Sequence, residues 1–140
     1  MAEQLFQVGV KALVRDQQGR ILLVRETSHK VIYWDLPGGR MDEGEDLIQT
    51  LSRELKEEIG VQDFSSPRHV ATLLSNKRVG EERGEFALLL VVYSAVIAER
   101  EQIQPSEPGL EVRWFTTAEA AKELSAKYPV HFCKVVEELP

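Results

Sequence analysis

The sequence predicts one α/β domain with a mixed β-sheet and helices on both sides. Three observations support this prediction: segments with alternating apolar side chains, an amphipathic helical segment, and an apolar run with the length of a buried strand. The 140 residues are enough for one domain with a full hydrophobic core. No linker, internal repeat or low-complexity tract divides the chain, so residues 1–140 are expected to fold as a single domain.

Two strands are expected at the start of this domain. Residues 6–14 alternate in the manner of a half-buried strand, and residues 20–25 give a second strand. The turn sequence at residues 16–19 should join them as a hairpin. Gly19 would supply the left-handed conformation that a short loop needs.

An amphipathic helix is predicted next, over residues 46–59. It follows the turn-forming Pro37, Gly38 and Gly39, and it ends before Gly60, a residue suited to a left-handed helix cap. At about 100° per residue, the apolar side chains form one stripe: Leu47, Ile48, Leu51, Leu55 and Ile59. The opposite, solvent-facing side carries Gln49, Ser52, Arg53 and Lys56.

Two acidic residues of this helix do not lie on its polar face. Glu58 points in the direction of Leu51 and Glu54 lies at the edge of the apolar stripe, whereas Glu57 borders the polar face. Like charges on neighbouring turns repel each other, and buried carboxylates lose hydration. A divalent cation would relieve both costs because hard cations take oxygen ligands. The pattern therefore indicates a cation site, with a merely solvated acidic helix as the alternative.

The second half of the chain continues the α/β pattern. Strands are predicted over residues 68–75, 85–97 and 111–115, and the apolar run in the middle one is typical of a strand buried on both faces. Thr116 and Glu119 fit a capping box that starts a helix reaching about residue 127. Pro129 can start a final helix over residues 130–138.

Composition and charge exclude several functional classes. A net charge of −6 argues against binding to a nucleic acid polymer or an anionic membrane. The only cysteine, Cys133, cannot form an intramolecular disulfide, and the three histidines lack metal-ligand spacing: His29, His69 and His131. Without a visible secretory signal, a cytoplasmic protein is expected.

Residues 39–61 resemble the Nudix box. Gly39 is followed after five residues by Glu45, and after seven more by Arg53-Glu54-Leu55-x-Glu57-Glu58-x-Gly60-Val61. This matches the pattern G-x5-E-x7-R-E-U-x-E-E-x-G-U, in which U is a bulky aliphatic residue, at every fixed position. The order of predicted elements over nearly the whole chain is also similar to the αβα sandwich of that family.

The resemblance implies metal-dependent hydrolysis of a nucleoside diphosphate linked to another moiety X. Water would attack phosphorus and break a phosphoanhydride P–O bond, with Mg²⁺ or Mn²⁺ as cofactor. By position in the box, the expected metal ligands are Glu54, Glu57 and Glu58, together with the Gly38 carbonyl. Arg53 would orient a box glutamate, and Glu45 would tie the box loop to the helix.

The general base is open between a box glutamate and Glu107, which lies in a proline-flanked loop before Trp114. Weaker alternatives for this role are Glu81, Glu82 and Glu85. A pair of aromatic residues, Tyr33 and Trp34, could stack on a base but more often packs in a core. Three basic residues could touch phosphate but more often lie at a surface: Arg25, Lys77 and Arg78.

The substrate is not fixed by the box. Near Asn76 and Lys77, where some subfamilies acting on ADP-ribose or dinucleoside polyphosphates carry a proline or tyrosine, neither is present. This weakens those two assignments and leaves nucleoside triphosphates and nucleotide sugars open. The alternative function is a nucleotide-binding sensor with little or no turnover. The expected partner is a small-molecule nucleotide, and a homodimer is compatible with the resemblance.

Overall fold

Strands precede and follow a central helix in the computed structural model, which describes residues 3–28, 32–80, 84–97 and 103–140. The elements in chain order are β1 (Phe6–Arg15), β2 (Ile21–Glu26), β3 (Gly38–Arg40), α1 (Leu47–Ile59), β4 (Arg68–Leu74), β5 (Ala87–Val96), β6 (Leu110–Phe115), α2 (Thr117–Leu124) and α3 (Val130–Glu137). The predicted α/β class is confirmed, and no helix within the described segments is long and apolar enough to cross a membrane.

The strands form one mixed sheet. Its main path runs β4-β5-β1-β2-β6, and β3 pairs with β1 outside this path. The long strands β1 and β5 are parallel, in register from Phe6 opposite Ala87 to Arg15 opposite Val96, and the other pairs are antiparallel. The parallel pair places the most apolar strand beside β1 in the interior of the sheet, as its composition predicts.

The predicted hairpin between β1 and β2 forms only at its turn. Arg15 pairs with Ile21, and Gly19 has the expected left-handed φ of 80°. Beyond this point the strands separate, because residues 35–40 pair with both of them. Asp35 bridges to Val24 on β2, and the short strand β3 pairs with β1. The turn-forming sequence of this segment gives no sign of strand β3. The pairing of β3 with β1 fixes the segment Pro37-Gly38-Gly39, here named the glycine loop, beside the sheet.

Helices cover both faces of the sheet, as expected. One core packs α1 on alternate residues of β1 and β2; its buried residues are Val10, Ala12, Val14, Leu22, Val24, Leu51, Leu55, Ile59, Val61 and Ile97. The other core packs α2 and α3 on the opposite face, and it includes Leu13, Leu23, Leu90, Leu124 and Phe132. Strands β1 and β2 therefore supply side chains to both cores in alternation.

Helix α1 has specific caps at both ends. Asp46 is its N-cap and not its first residue, because the Asp46 side chain accepts from the Gln49 N–H in a capping box. Gly60 ends the helix with φ 71°, as predicted. Ile48 was expected in the apolar stripe but is 42% exposed, while Thr50 is fully buried. The stripe is therefore narrower than the helical wheel predicts.

The C-terminal helices are shorter than predicted. The capping box of Thr116 and Glu119 is confirmed, but α2 ends at Leu124 and not near residue 127. The N–H groups of Lys127 and Tyr128 both donate to the Leu124 carbonyl, which closes the chain into a turn before α3. This turn directs the side chains of Lys127 and Tyr128 toward Asp35, in the segment before the glycine loop.

Candidate active site

A cavity of about 900 Å³ opens at one end of the sheet, beside the Nudix-box segment. Its lining comes from strands β1 and β2, the segment before β3, helix α1, and the loop that leads into β6 together with the first residue of that strand. The lining residues are Lys11, Val24, Glu26, Tyr33, Asp35, Glu54, Glu57, Glu58, Ser106, Glu107 and Leu110. All three predicted box glutamates and Glu107 thus face the same space.

Arg53 connects the acidic residues of the box. Its Nε and Nη2 donate to the two oxygens of Glu45 at 2.6 and 2.9 Å, in a bidentate pair. Its Nη1 donates to Glu54 at 2.8 Å and to Glu57 at 3.2 Å. The side chain is only 26% exposed, so it does not extend into solvent as the helical wheel suggests. These contacts fix the orientation of two box carboxylates.

Glu45 joins the box loop to α1 through several hydrogen bonds. Besides Arg53, the carboxylate accepts from the Thr50 hydroxyl at 3.0 Å and from the Asp42 N–H at 2.9 Å. The Arg53 hydrogen bonds are the main reason that the pKa of Glu45 is lowered to about 2. Glu45 therefore stays ionised. Its contacts fit the structural role that the resemblance implies.

Burial has a strong effect on the ionisation of the Glu58 carboxylate. Burial raises the pKa of Glu58 to about 7, against the lowering effects of Lys11 and of the Gly38 N–H. The Gly38 N–H donates to Glu58 Oε1 at 3.1 Å. The N–H is the Gly38 group seen in contact with the box acids, whereas its carbonyl was predicted as a metal ligand; that ligand role stays a prediction.

The glycine loop packs directly on the acidic helix. A side-chain carbon added to Gly39 would overlap the Glu54 carboxylate, so any other residue at this position would displace that carboxylate. Glu54 is correspondingly enclosed, with a side chain 17% exposed, whereas that of Glu57 is 61% exposed. The close approach of β3 therefore explains why Glu54 faces the cavity and not solvent.

The carboxylates are suited to a hard divalent cation. Three acidic side chains of α1 line the same cavity, and oxygen ligands of this kind are those that Mg²⁺ and Mn²⁺ prefer. Within the described segments, no three acidic, histidine or cysteine side chains already converge on a common metal position. Hydrogen bonds from Arg53 and Gly38 hold the acids apart and in place. A cation would favour the ionised form of Glu58, which burial disfavours.

A second charged group reaches the cavity through Lys11 and Asp35. We name it the lysine cluster: Lys11, Asp35, Lys127 and Tyr128. Asp35 Oδ2 accepts from Lys11 at 3.2 Å and from Lys127 at 2.6 Å, and Asp35 Oδ1 accepts from the Tyr128 hydroxyl at 2.6 Å. Burial opposes ionisation of Asp35, but the two lysines outweigh it and lower the pKa of Asp35 to about 2. The sequence analysis missed this cluster because its members are distant in the chain.

The aromatic pair before the glycine loop is divided between core and cavity. Trp34 is 5% exposed and packs edge-on against Phe115, with ring centroids 5.2 Å apart, as expected for a core residue. Tyr33 instead lines the cavity, and Lys77 and Lys127 lie 5.9 Å from its ring centroid. Arg25 stacks on Trp34 at 4.4 Å and pairs with Glu111, which explains its placement without a phosphate.

Glu107 reaches the cavity through a loop that is tied to the end of α1. The Gln104 and Ser106 N–H groups donate to the Ile59 and Glu58 carbonyls. These bonds hold the exposed Glu107 side chain at the cavity opening. Glu85 does not line the cavity, and Glu81, Glu82 and His29 lie outside the described residues. Of the two later-loop candidates that the structure describes, Glu85 and Glu107, Glu107 is the one that lines the cavity.

Comparison with known proteins gives a consistent family. A family model described as NUDIX domain matches residues 5–133. The chain is 43% identical over 62 residues to "Nucleoside diphosphate-linked moiety X motif 6" of Xenopus laevis, which covers 43% of this chain and 29% of that protein. It is 27% identical over 123 residues to "Phosphatase NudJ" of Shigella boydii, covering 85% of this chain and 74% of that protein.

The fold is also found among solved structures. The MutT protein from Methanosarcina mazei Go1 aligns with a TM-score of 0.71 and 24% identity, over 98% of this chain and 94% of that chain. At this identity the likeness supports the fold alone. The αβα arrangement with a mixed sheet that the sequence predicts is thus present in the structure and in its neighbour.

Proposed function

The chain belongs to the Nudix hydrolase family, and from that premise we propose that it hydrolyses a phosphoanhydride bond in a nucleoside diphosphate linked to another moiety X. The observation that carries this proposal is the convergence of Glu54, Glu57 and Glu58 on one cavity of about 900 Å³. This volume is in the range that holds a small-molecule ligand of nucleotide size. The relatives named for a nucleoside diphosphate-linked moiety and for phosphatase activity agree with this class of reaction.

The box glutamates are assigned to metal binding. When bound at Glu54, Glu57 and Glu58, Mg²⁺ or Mn²⁺ would neutralise phosphate charge and make water more acidic. The chain's own contribution is to hold these oxygens in position. Arg53 orients Glu54 and Glu57, while the Gly38 N–H orients Glu58. The Gly38 carbonyl is kept in the proposal as a further ligand.

Glu107 is proposed as the general base. Its side chain is exposed and lines the cavity, so water has access to it, and it is not engaged by Arg53. A base must lie within reach of the attacking water and be ionised at the working pH. Glu57 is the second candidate because it is 61% exposed and also lines the cavity.

The proposed function is tested by a panel of nucleoside triphosphates, nucleotide sugars, dinucleoside polyphosphates and dinucleotides. Each is incubated with the protein and Mg²⁺ or Mn²⁺, and the phosphorylated products are resolved by chromatography. At least one compound should be cleaved at a phosphoanhydride bond, and chelation of the metal should stop the reaction. Tight binding of a nucleotide without any product would instead support a sensor module, and metal-independent turnover would contradict the proposed mechanism.

The choice of base is tested separately with Glu107→Gln and Glu57→Gln. General-base catalysis contributes roughly 10²–10⁴-fold, so loss of the base should lower kcat by that factor and remove the acidic limb of its pH profile. Metal affinity, measured with Mn²⁺, should be unchanged in Glu107→Gln and weakened in Glu57→Gln. If Glu107→Gln retains full kcat with a normal pH profile, Glu107 is not the base.

A further inference from the structure

Lys11 is a buried cation that the proposed chemistry of the box does not use. Its side chain is 10% exposed, yet it lines the same cavity as the box acids. Two of its three ammonium hydrogens are directed to Asp35 and to the Leu36 carbonyl, both at 3.2 Å. Among the contacts of the described residues, this leaves one hydrogen of Lys11 for a ligand in the cavity.

The charges of the lysine cluster do not cancel. Lys127, 8% exposed, shares the same Asp35 oxygen with Lys11, so two cations are paired with one carboxylate. Both oxygens of Asp35 are already occupied, because Oδ1 accepts from Tyr128 and from the Leu36 N–H. A buried charge without a counter-ion is costly. Glu58 is near enough to interact electrostatically with Lys11, but in the proposed reaction its charge is used by the metal.

The missing counter-charge indicates the chemistry of the ligand. A neutral acceptor, such as a base carbonyl, would accept a hydrogen bond from Lys11 but would leave the surplus positive charge uncompensated. A phosphate oxygen satisfies both the donor and the charge, and Lys is a suitable point-charge ligand for phosphate. Because Lys11 and Glu58 line one cavity, a phosphate chain can reach Lys11 and a metal on Glu58 together.

We propose that Lys11 binds a non-bridging phosphate oxygen of the substrate, as a second phosphate contact besides the metal. Asp35 positions Lys11 for this contact, and Lys127 supplies the surplus positive charge beside it. The proposal rests on the proposed function for the identity of the phosphate compound. It assigns a distinct role to residues outside the box: recognition of the phosphate chain in the cavity that the box acids also line. Lys11 is the contact residue, and Asp35 and Lys127 act through it.

The experiment uses inorganic pyrophosphate with Mg²⁺ as the probe, and its affinity is measured by calorimetry. Lys11→Met should weaken binding about tenfold to hundredfold, as expected for loss of a charge-assisted contact, while Lys11→Arg should stay within about threefold of the wild type. Lys56→Met is the matched control, since it removes the same charge from the exposed face of α1. Asp35 keeps Lys127 and Tyr128 in Lys11→Met, and thermal unfolding checks that the variant is folded.

Metal binding is measured alongside, with Mn²⁺ and no pyrophosphate. It should change much less than pyrophosphate affinity does in Lys11→Met, because Lys11 is not a metal ligand and acts on the box only through its charge near Glu58. Equal pyrophosphate affinity in Lys11→Met and wild type, an equal loss in Lys56→Met, or no binding by the wild type would each overturn the proposal. If Lys11→Met does not fold, pyrophosphate affinity is measured in Lys127→Met instead. The contact is also tested in the wild type by following the lysine Cε signals with ¹³C NMR. A buried lysine signal should then shift on addition of Mg²⁺ pyrophosphate.

Failure of the two proposals can be told apart. If no compound of the panel is hydrolysed but Lys11→Met still weakens pyrophosphate binding, the phosphate contact stands without the catalytic assignment. If hydrolysis occurs and Lys11→Met changes neither KM nor pyrophosphate affinity, the catalytic assignment stands and the Lys11 contact is wrong. A rise in KM with little change in kcat is the result expected for Lys11→Met.

Discussion

The two sides of the cavity hold their charged groups in different ways. On the acidic side, Glu54, Glu57 and Glu58 project from one helix, and Arg53 of the same helix holds two of them. On the other side, the lysine cluster joins β1, the segment before β3 and the turn after α2. The acids are separated by one helical turn, whereas Asp35 and Lys127 are 92 positions apart.

This difference has a physical consequence. Neutral replacement of one acid on the acidic side should leave the fold intact, because one helix with its own caps supports all three acids. The lysine cluster instead connects three elements by buried ion pairs, so losing Asp35 leaves Lys11 and Lys127 without their counter-ion in the interior. Variants on the acidic side should therefore affect mainly activity, and variants of the cluster should affect stability as well.

The largest effect on stability is expected for Asp35→Asn. This change leaves Lys11 and Lys127 buried without their counter-ion, and breaking a buried pair in this way typically costs about 3–5 kcal/mol. Urea unfolding measures the loss. The control is Glu111→Gln, which breaks the more exposed pair with Arg25 and should cost less than about 1 kcal/mol. Similar losses in both variants would contradict the contrast between the two sides.

Glu58→Gln should have the largest effect on activity. Loss of this charged oxygen should reduce kcat roughly hundred- to thousandfold, the range for losing one preorganised electrostatic group. The fold should persist, because the amide oxygen can still accept from the Gly38 N–H. Kinetics on the best compound of the panel and thermal unfolding test this pair of outcomes. Glu43→Gln, an exposed acid of the box loop, serves as the control, and full activity in Glu58→Gln would refute its metal role.

The two sides should also respond to pH with opposite signs in the metal-free protein. The pKa of Asp35 is lowered to about 2, so its stabilisation is present above its unfolded value near 4 and is lost as pH falls through 2. The pKa of Glu58 is raised to about 7 from 4.5, so its contribution is present below pH 4.5 and is lost as pH rises through 7. Each limb should be on the order of 2 kcal/mol.

Urea unfolding across pH 2 to 8 measures both limbs. Addition of Mg²⁺ should reduce the loss above neutral pH because the cation stabilises ionised Glu58, and Glu58→Gln should remove that limb. An unchanged limb in Glu58→Gln would assign it to another group.

Arg53→Lys should have the smallest effect of the series. Lysine keeps the positive charge but cannot reproduce the bidentate pair with Glu45 together with the contacts to Glu54 and Glu57. A decrease of about tenfold in Mn²⁺ affinity or kcat is expected, as for other residues that orient metal ligands. Mn²⁺ titration and steady-state kinetics measure it. Unchanged values would show that the box acids do not need Arg53 for their orientation.

Much of this architecture could be predicted because its signals are local. Helix α1 was placed to within one residue, since its caps and apolar stripe lie within consecutive turns. The inward direction of Glu54 and Glu58 followed from the same helical geometry. Strand β3 was not predicted, because its pairing with β1 is decided by residues far along the chain. The early end of α2 was missed for a related reason: Lys127 and Tyr128 leave the helix and bond to Asp35.

The sequence by itself determined the family resemblance, the α/β class and the placement of the box acids on one side of a helix. These features depend on side-chain spacing of a few residues, and that spacing fixes direction wherever a helix forms. The tertiary structure decided which other charged groups share the cavity with the acids. Lys11, Asp35 and Lys127 carry no local signal of a site, and they meet only because residues 35–40 separate β1 from β2. Burial then makes their unequal charges matter, since an unpaired charge is costly only where water is excluded.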